Sequence, residues 1–120
     1  MQRTKIVSLL ARLSLFCLLC LLFIGGSQPI AVKLFPVPWD KLIHALTFGL
    51  LFVVSSLAFP RIKLLFIWLT IILIGMLDEI HQLYIPGRSA GLDDLLADIV
   101  GSFCALILMH YLLPKPSENS

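Results

Sequence analysis

Side chains that can bind a cation, exchange a proton or hold an anion are concentrated in one stretch of an otherwise apolar chain. The stretch from Asp78 to Asp98, DEIHQLYIPGRSAGLDDLLAD, carries five carboxylates, a histidine, a glutamine and an arginine. It directly follows the apolar run LLFIWLTIILIGML. Carboxylates and imidazole serve as general bases and as ligands of divalent metals, and a guanidinium binds anions. The stretch therefore predicts chemistry at the edge of a membrane.

The acidic residues also follow a helical spacing. Three pairs, Asp40 with His44, Asp78 with Gln82, and Asp94 with Asp98, are each four residues apart, so each pair lies on one face of a helix. A buried charge in a bilayer is costly unless it faces a bundle interior or a watery cavity, so these pairs should face each other. Six of the seven acidic residues lie at one end of the second, third and fourth apolar segments: Asp40, Asp78, Glu79, Asp93, Asp94 and Asp98.

The composition requires a membrane to position these residues. Of the 120 residues, 59% are hydrophobic and 13% are charged, which is far from the soluble average. A net charge of +2 without a basic run argues against a nucleic-acid partner. The three cysteines lie in apolar stretches, so they are interpreted as packing residues rather than a redox pair.

The apolar segments predict an all-α membrane protein with four transmembrane helices in an antiparallel bundle. A span needs about 20 apolar residues, because lipid offers no partner to free backbone groups. The expected spans are 6–24, 42–59, 64–84 and 92–113, followed by a tail over 114–120, all in one domain covering 1–120. An alternative interpretation of the first span is a cleaved signal peptide. Its apolar stretch is long for a signal peptide, which argues against that alternative.

The loop charges predict the orientation of the bundle. Arg3, Lys5, Arg61, Lys63 and Lys115 lie on one side of the predicted spans. Because lysine and arginine accumulate in cytoplasmic loops, both termini are expected in the cytoplasm. The polar helix ends are then expected on the extracytoplasmic face.

Two segments resemble the VanZ-like family of small bacterial integral membrane proteins: DKLIHALTFGLLF and DEIHQLYIPGRSAGLDDLLADIVGS. The resemblance covers about residues 39–102, and one departure is Asp98, where the family usually has asparagine. It implies a multi-pass protein of the bacterial cytoplasmic membrane and cell envelope, in a family associated with teicoplanin resistance. It points to Asp40, Lys41, His44, Asp78, Glu79, Gln82, Pro86, Gly87, Arg88, Asp93 or Asp94, and Gly101.

The residues and the resemblance together predict one functional cluster. Its members are Asp40, Lys41, His44, Asp78, Glu79, Gln82, Arg88, Asp94 and Asp98. Pro86 and Gly87 are interpreted as a structural turn. Divalent metal is an alternative occupant, with candidate ligands His44, Asp78, Glu79, His81 and Asp98. The competing interpretation is polar packing between helices, with Arg88 neutralised by neighbouring carboxylates.

Three hypotheses of function follow from such a cluster. The first is a polar cavity on the extracytoplasmic face that binds or modulates an amphiphile, namely a lipid, a cell-wall precursor or a lipoglycopeptide. The second is a membrane-embedded, metal-assisted hydrolase or transferase acting on a lipid-linked substrate, with no catalytic residue assigned. The third is a proton- or cation-coupled transporter. The expected partners are the lipid bilayer, an amphiphilic ligand and, as a further alternative, a second copy in a homodimer.

Overall fold

The chain forms an up-and-down bundle of four long helices. The computed structural model describes residues 2–28, 30, 34, 36, 38–88 and 90–114. Helix α1 is Gln2–Cys20 and continues as one π-helical turn, Leu21–Gly25. Helices α2, α3 and α4 are Trp39–Ala58, Leu64–Gln82 and Leu92–Leu112. The predicted all-α fold is confirmed.

The helix bounds differ from the expected spans where polar residues or turns begin. Helix α2 begins at Trp39 rather than 42, because the Trp39 N–H donates to the Pro36 carbonyl at 2.9 Å and so starts the helix before its apolar part. Helix α3 ends at Gln82 rather than 84, since Leu83 and Tyr84 already lie in a turn before a proline. Helix α1 likewise extends into its polar start at Gln2. The expected tail lies outside the described residues from 115 onward.

The pairing of α2 with α4 is the most extensive helix contact. A side chain at Gly101 would overlap the backbone Cα, C and O atoms of Ala45, and one at Gly49 would lie 3.2 Å from the Gly101 carbonyl oxygen. The two backbones therefore pack closely, as small residues allow in membrane helices. The contact between α2 and α4 therefore runs through their small residues.

The core lies between the middle of α2, the first half of α3 and the second half of α4, and the outer surface is apolar. Buried side chains from α2, α3 and α4 form one cluster: Phe48, Leu51, Phe52, Ile67, Ile71, Ala105 and Met109. All four helices are long and apolar enough to cross a membrane, and many of their large apolar side chains are exposed outward. Such a surface is stable in lipid, so the chain is a multi-pass membrane protein.

Two side chains of α1 bind the end of α2. The Ser8 hydroxyl and the Arg12 Nε–H donate to the Ala58 carbonyl at 2.8 and 3.1 Å. The Arg12 guanidinium also lies 5.5 Å from the centre of the Phe59 ring. A helix C-terminus leaves its last carbonyls without helical partners, and these donors satisfy one of them. The start of α1 and the turn containing Arg61 therefore lie at the same end of the bundle.

Candidate functional site

Three helix ends assemble the polar cluster at the opposite end of the bundle. Helix α2 begins there with Asp40 and Lys41, α3 ends there with Gln82, and α4 begins there with Asp93 and Asp94. Because consecutive helices run in opposite directions, the start of α2, the end of α3 and the start of α4 lie side by side. The structure therefore brings together residues that are up to 58 positions apart in sequence, Asp40 and Asp98.

Lys41 forms the ion pairs in the outer part of the cluster. Its Nζ lies 3.1 Å from Asp40 Oδ2 and 3.0 Å from Asp93 Oδ2, and it also donates to Asp94 Oδ1. The Lys41 backbone N–H donates to Asp40 Oδ1 at 2.9 Å. One ammonium thus pairs with three carboxylates on two helices and joins α2 to α4.

His44 and Asp98 form a second pair, deeper in the bundle. His44 Nδ1 lies 2.9 Å from Asp98 Oδ1. An ionised carboxylate only accepts hydrogen bonds, so Nδ1 is the donor, and a neutral His44 then carries its lone pair on Nε2. The Asp98 backbone carbonyl accepts from the Ser102 hydroxyl at 2.7 Å, and that hydroxyl accepts from the Trp68 indole N–H at 3.1 Å. This chain of bonds ties α3 to α4 directly below Asp98.

The two acidic residues at the end of α3 have separate partners. Gln82 Nε2 donates to Asp78 Oδ2 at 2.9 Å, along the same helix face that their spacing predicts. Glu79 Oε2 instead accepts the Gly91 backbone N–H at 2.9 Å. That N–H stands at the start of α4, so Glu79 caps the neighbouring helix, where negative charge is also favoured by the helix dipole.

The link between α3 and α4 is a tight turn. The Arg88 N–H donates to the Ile85 carbonyl at 3.2 Å, with Pro86 and Gly87 between them. Gly87 has φ +81°, the left-handed value that the third position of a type II turn requires. Beyond this turn, Arg88 Nη1 donates to the Gly26 carbonyl at 2.9 Å, just past the end of α1. Within the described part of the chain, Arg88 therefore binds a backbone oxygen rather than the carboxylate that packing alone would suggest.

The five metal-ligand candidates divide into a close trio and two residues that are not part of it. His44, Glu79 and Asp98 each offer one ligand atom, and these atoms all lie within 4.8 Å of one another. Asp78 is engaged by Gln82, and the His81 ring packs edge-on against Phe23 at 5.6 Å between centroids. The structure thus brings three of the candidates together from three different helices.

A cleft of about 990 Å³ opens beside the cluster. Charged and polar residues border one part of it: Asp40, Lys41, His44, Asp78, Gln82, Arg88, Asp93 and Asp94. Apolar residues of α1 and α2 border the rest: Leu18, Leu21, Leu22, Ile43 and Leu50. The lining of the cleft therefore combines charged and polar side chains with apolar ones.

Several contributors were not predicted from the sequence. Gly26 and Gly91 act through a backbone carbonyl and a backbone N–H, which no side-chain pattern reveals. Trp68 donates its indole N–H to Ser102 within the bundle. A serine four residues after a buried aspartate was the one available signal, because Ser102 and Asp98 share a helix face.

Comparison with known proteins gives one match. Residues 7–113 match the model of the family described as VanZ/LLP1. No curated protein and no solved structure matches the chain. The family match covers all four helices except the first residues of α1.

Proposed function

Because the chain belongs to the VanZ/LLP1 family, we propose that it is a protein of the bacterial cell envelope that binds an amphiphile at its polar end. The polar end lies on the extracytoplasmic face of the cytoplasmic membrane. The amphiphile is a lipid, a lipid-linked cell-wall precursor or a lipoglycopeptide such as teicoplanin. Its polar head binds at the helix ends, and its hydrocarbon tail lies between α1 and α2.

The amphipathic lining of the cleft is the observation that carries this proposal. Lys41, His44 and Arg88 line it together with apolar residues such as Leu18 and Leu22. Ligand sites are typically concave and mostly apolar, with a few polar groups that fix orientation. A cleft of about 990 Å³ has room for a head group and part of a chain.

The charge of the cluster favours a head group that carries an amine. Six carboxylates face two cations, Lys41 and Arg88, so the formal balance is four negative charges with histidine neutral. Lys41 is already shared by three of the carboxylates. A wholly anionic head group would meet repulsion, whereas an ammonium would find acceptors.

The orientation has support from the opposite end of the bundle. Lys5 and Arg61 border one groove there, together with Arg12, so basic side chains cluster away from the acidic end. By the positive-inside rule, this distribution supports a cytoplasmic position for the basic end. We expect a cysteine at Tyr84 to react with a membrane-impermeant maleimide on intact cells, and one at Ile62 to react only after permeabilisation. The test uses a background in which the three native cysteines are replaced by serine.

Lipid binding by the purified protein tests the proposal itself. Native mass spectrometry would compare phosphatidylethanolamine with phosphatidylglycerol of identical acyl chains. We expect the wild type to prefer the amine-bearing lipid, and Asp78→Asn and Asp94→Asn to lose that preference. The matched control is Arg61→Gln, which also changes one charge but at the other end of the bundle. Equal binding of both lipids by the wild type and by the two aspartate variants would contradict the proposal.

A second candidate function, hydrolysis or transfer on a lipid-linked substrate, is favoured by one observation. His44 borders the cleft and is oriented by Asp98 at 2.9 Å, which is the arrangement of a general base and its supporting carboxylate. Release of product from a lipid-linked substrate by the wild type, but not by His44→Gln, would establish turnover. Absence of turnover, with binding intact, leaves the binding function alone. The hypotheses that the protein is a proton- or cation-coupled transporter and that it forms a homodimer remain predictions.

A further inference from the structure

Two buried carboxylate oxygens in the cluster lack a partner among the described residues. They are Glu79 Oε1 and Asp98 Oδ2. The residues are 8% and 1% exposed, so water does not solvate them freely. A buried ionised carboxylate without compensation is strongly unfavourable, so a cation or a proton must neutralise this pair.

The free oxygens belong to side chains that are already held in place. Asp98 uses its other oxygen for His44 Nδ1, and Glu79 uses its other oxygen for the Gly91 N–H, each at 2.9 Å. Metal ligands are typically oriented in this way by hydrogen bonds to their remaining atoms. Gly75 keeps the space beside Asp98 open, because a Cβ there would lie 3.1 Å from Asp98 Oδ2.

We propose that His44, Glu79 and Asp98 form a binding site for one divalent cation. Each contributes one ligand atom, and the three atoms lie within 4.8 Å of one another. Metal–ligand bonds of about 2.0–2.6 Å place opposite ligands about 4–5 Å apart, so one ion can reach all three. The site requires the folded bundle, since α2, α3 and α4 each supply one ligand.

The donor set selects the class of ion. Two carboxylates supply two negative charges, which match a divalent cation. An imidazole nitrogen favours first-row transition ions and Zn²⁺ over Mg²⁺ and Ca²⁺, and carboxylate oxygens remain good ligands of Mn²⁺. Mn²⁺ and Zn²⁺ are therefore the expected ions. This site is distinct from amphiphile binding, because it needs no lipid and two of its three residues, Glu79 and Asp98, are not among those that border the cleft.

Metal titration of the purified protein tests the site. The protein in detergent is stripped with EDTA, dialysed, and titrated with Mn²⁺ or Zn²⁺ while the thermal midpoint and bound Mn²⁺, by electron paramagnetic resonance, are measured. We expect one equivalent to bind and the midpoint to rise. Glu79→Gln and Asp98→Asn should weaken metal binding by at least about 10- to 100-fold. Losses of that size already follow when a residue that only hydrogen-bonds to a metal ligand is removed.

The matched control is Asp93→Asn, which removes the same charge from the neighbouring Lys41 network and leaves the trio intact. It should bind the ion as the wild type does. If either test variant elutes as an aggregate, His44→Gln, which keeps both carboxylates, decides instead by losing the bound Mn²⁺. No binding by the wild type, or equal binding by the wild type and the trio variants, would overturn the site and leave a proton shared between the carboxylates.

Discussion

Replacing Lys41 with methionine removes one charge that serves three carboxylates, and the structure predicts an unequal effect on two of them. The Asp93 side chain is 67% exposed and the Asp94 side chain is 9% exposed, while that of Lys41 is 31% exposed. Water therefore screens the Lys41–Asp93 pair strongly and the Lys41–Asp94 pair much less. The inequality is expected in the coupling free energy of each pair rather than in the total loss of stability.

Coulomb's law sets the scale of the difference between the two pairs. At about 3 Å, unit charges attract by about 1.4 kcal/mol at the dielectric constant of water and by about 5.5 kcal/mol at an effective value of 20. Entropy and screening reduce an exposed pair to about 0.2–1 kcal/mol. Desolvation also reduces the buried one, so we expect a coupling of about 2 kcal/mol between Lys41 and Asp94 and a clearly smaller one between Lys41 and the exposed Asp93.

A double-mutant cycle measures these couplings. The free energy of unfolding is determined by reversible SDS titration for Lys41→Met, Asp93→Asn, Asp94→Asn and the two double variants. The Asp93 cycle is the matched control, since it changes the same residue types on the same helix turn. A coupling with Asp93 equal to or larger than that with Asp94 would refute the assignment of Asp94 as the buried partner of Lys41.

Three other substitutions test the helix contacts by the same unfolding titration. Gly101→Ala should destabilise the bundle by about 1–3 kcal/mol, because its methyl group would overlap the backbone of α2, whereas Val100→Ile adds a carbon on the exposed face and should be neutral. Gly87→Ala should cost about 1 kcal/mol, since its φ of +81° is strained for alanine. Arg12→Leu should cost about 0.5–1.5 kcal/mol by removing a hydrogen bond to Ala58. If Gly101→Ala or Arg12→Leu were as stable as the wild type, the helix contact assigned to that residue would be contradicted. If Gly87→Ala were as stable as the wild type, the strained backbone conformation at Gly87 would be contradicted.

The sequence was sufficient to predict the helices and the faces that meet. Apolar length defines a span, and i,i+4 spacing defines a face, so the four helices and the Asp78–Gln82 hydrogen bond followed from local rules. The close approach of Gly101 to Ala45 depends on the absence of a side chain at Gly101. These properties depend on neighbours within one helix or on the size of one side chain.

The partners across helices could not be predicted in the same way. The choice of Gly26 by Arg88, and of Gly91 by Glu79, depends on the distance between helix ends after packing. Neither partner acts through a side chain, so composition gives no signal. The separation of His81 from the trio is different, because a rotation of about 100° per residue already directs His81 to another face of α3 than Glu79, and only its packing against Phe23 needed the structure.

Function in cells tests most directly the central claim that the polar end is a binding site rather than helix packing. A strain lacking the gene is complemented with wild type, Asp78→Asn or Arg88→Ala at equal abundance in the membrane, and its sensitivity to envelope stress and to teicoplanin is measured. We predict that wild type restores the phenotype and that both variants fail although they are inserted and folded. Full restoration by either variant would contradict the claim and would leave the cluster as a means of holding the helices together.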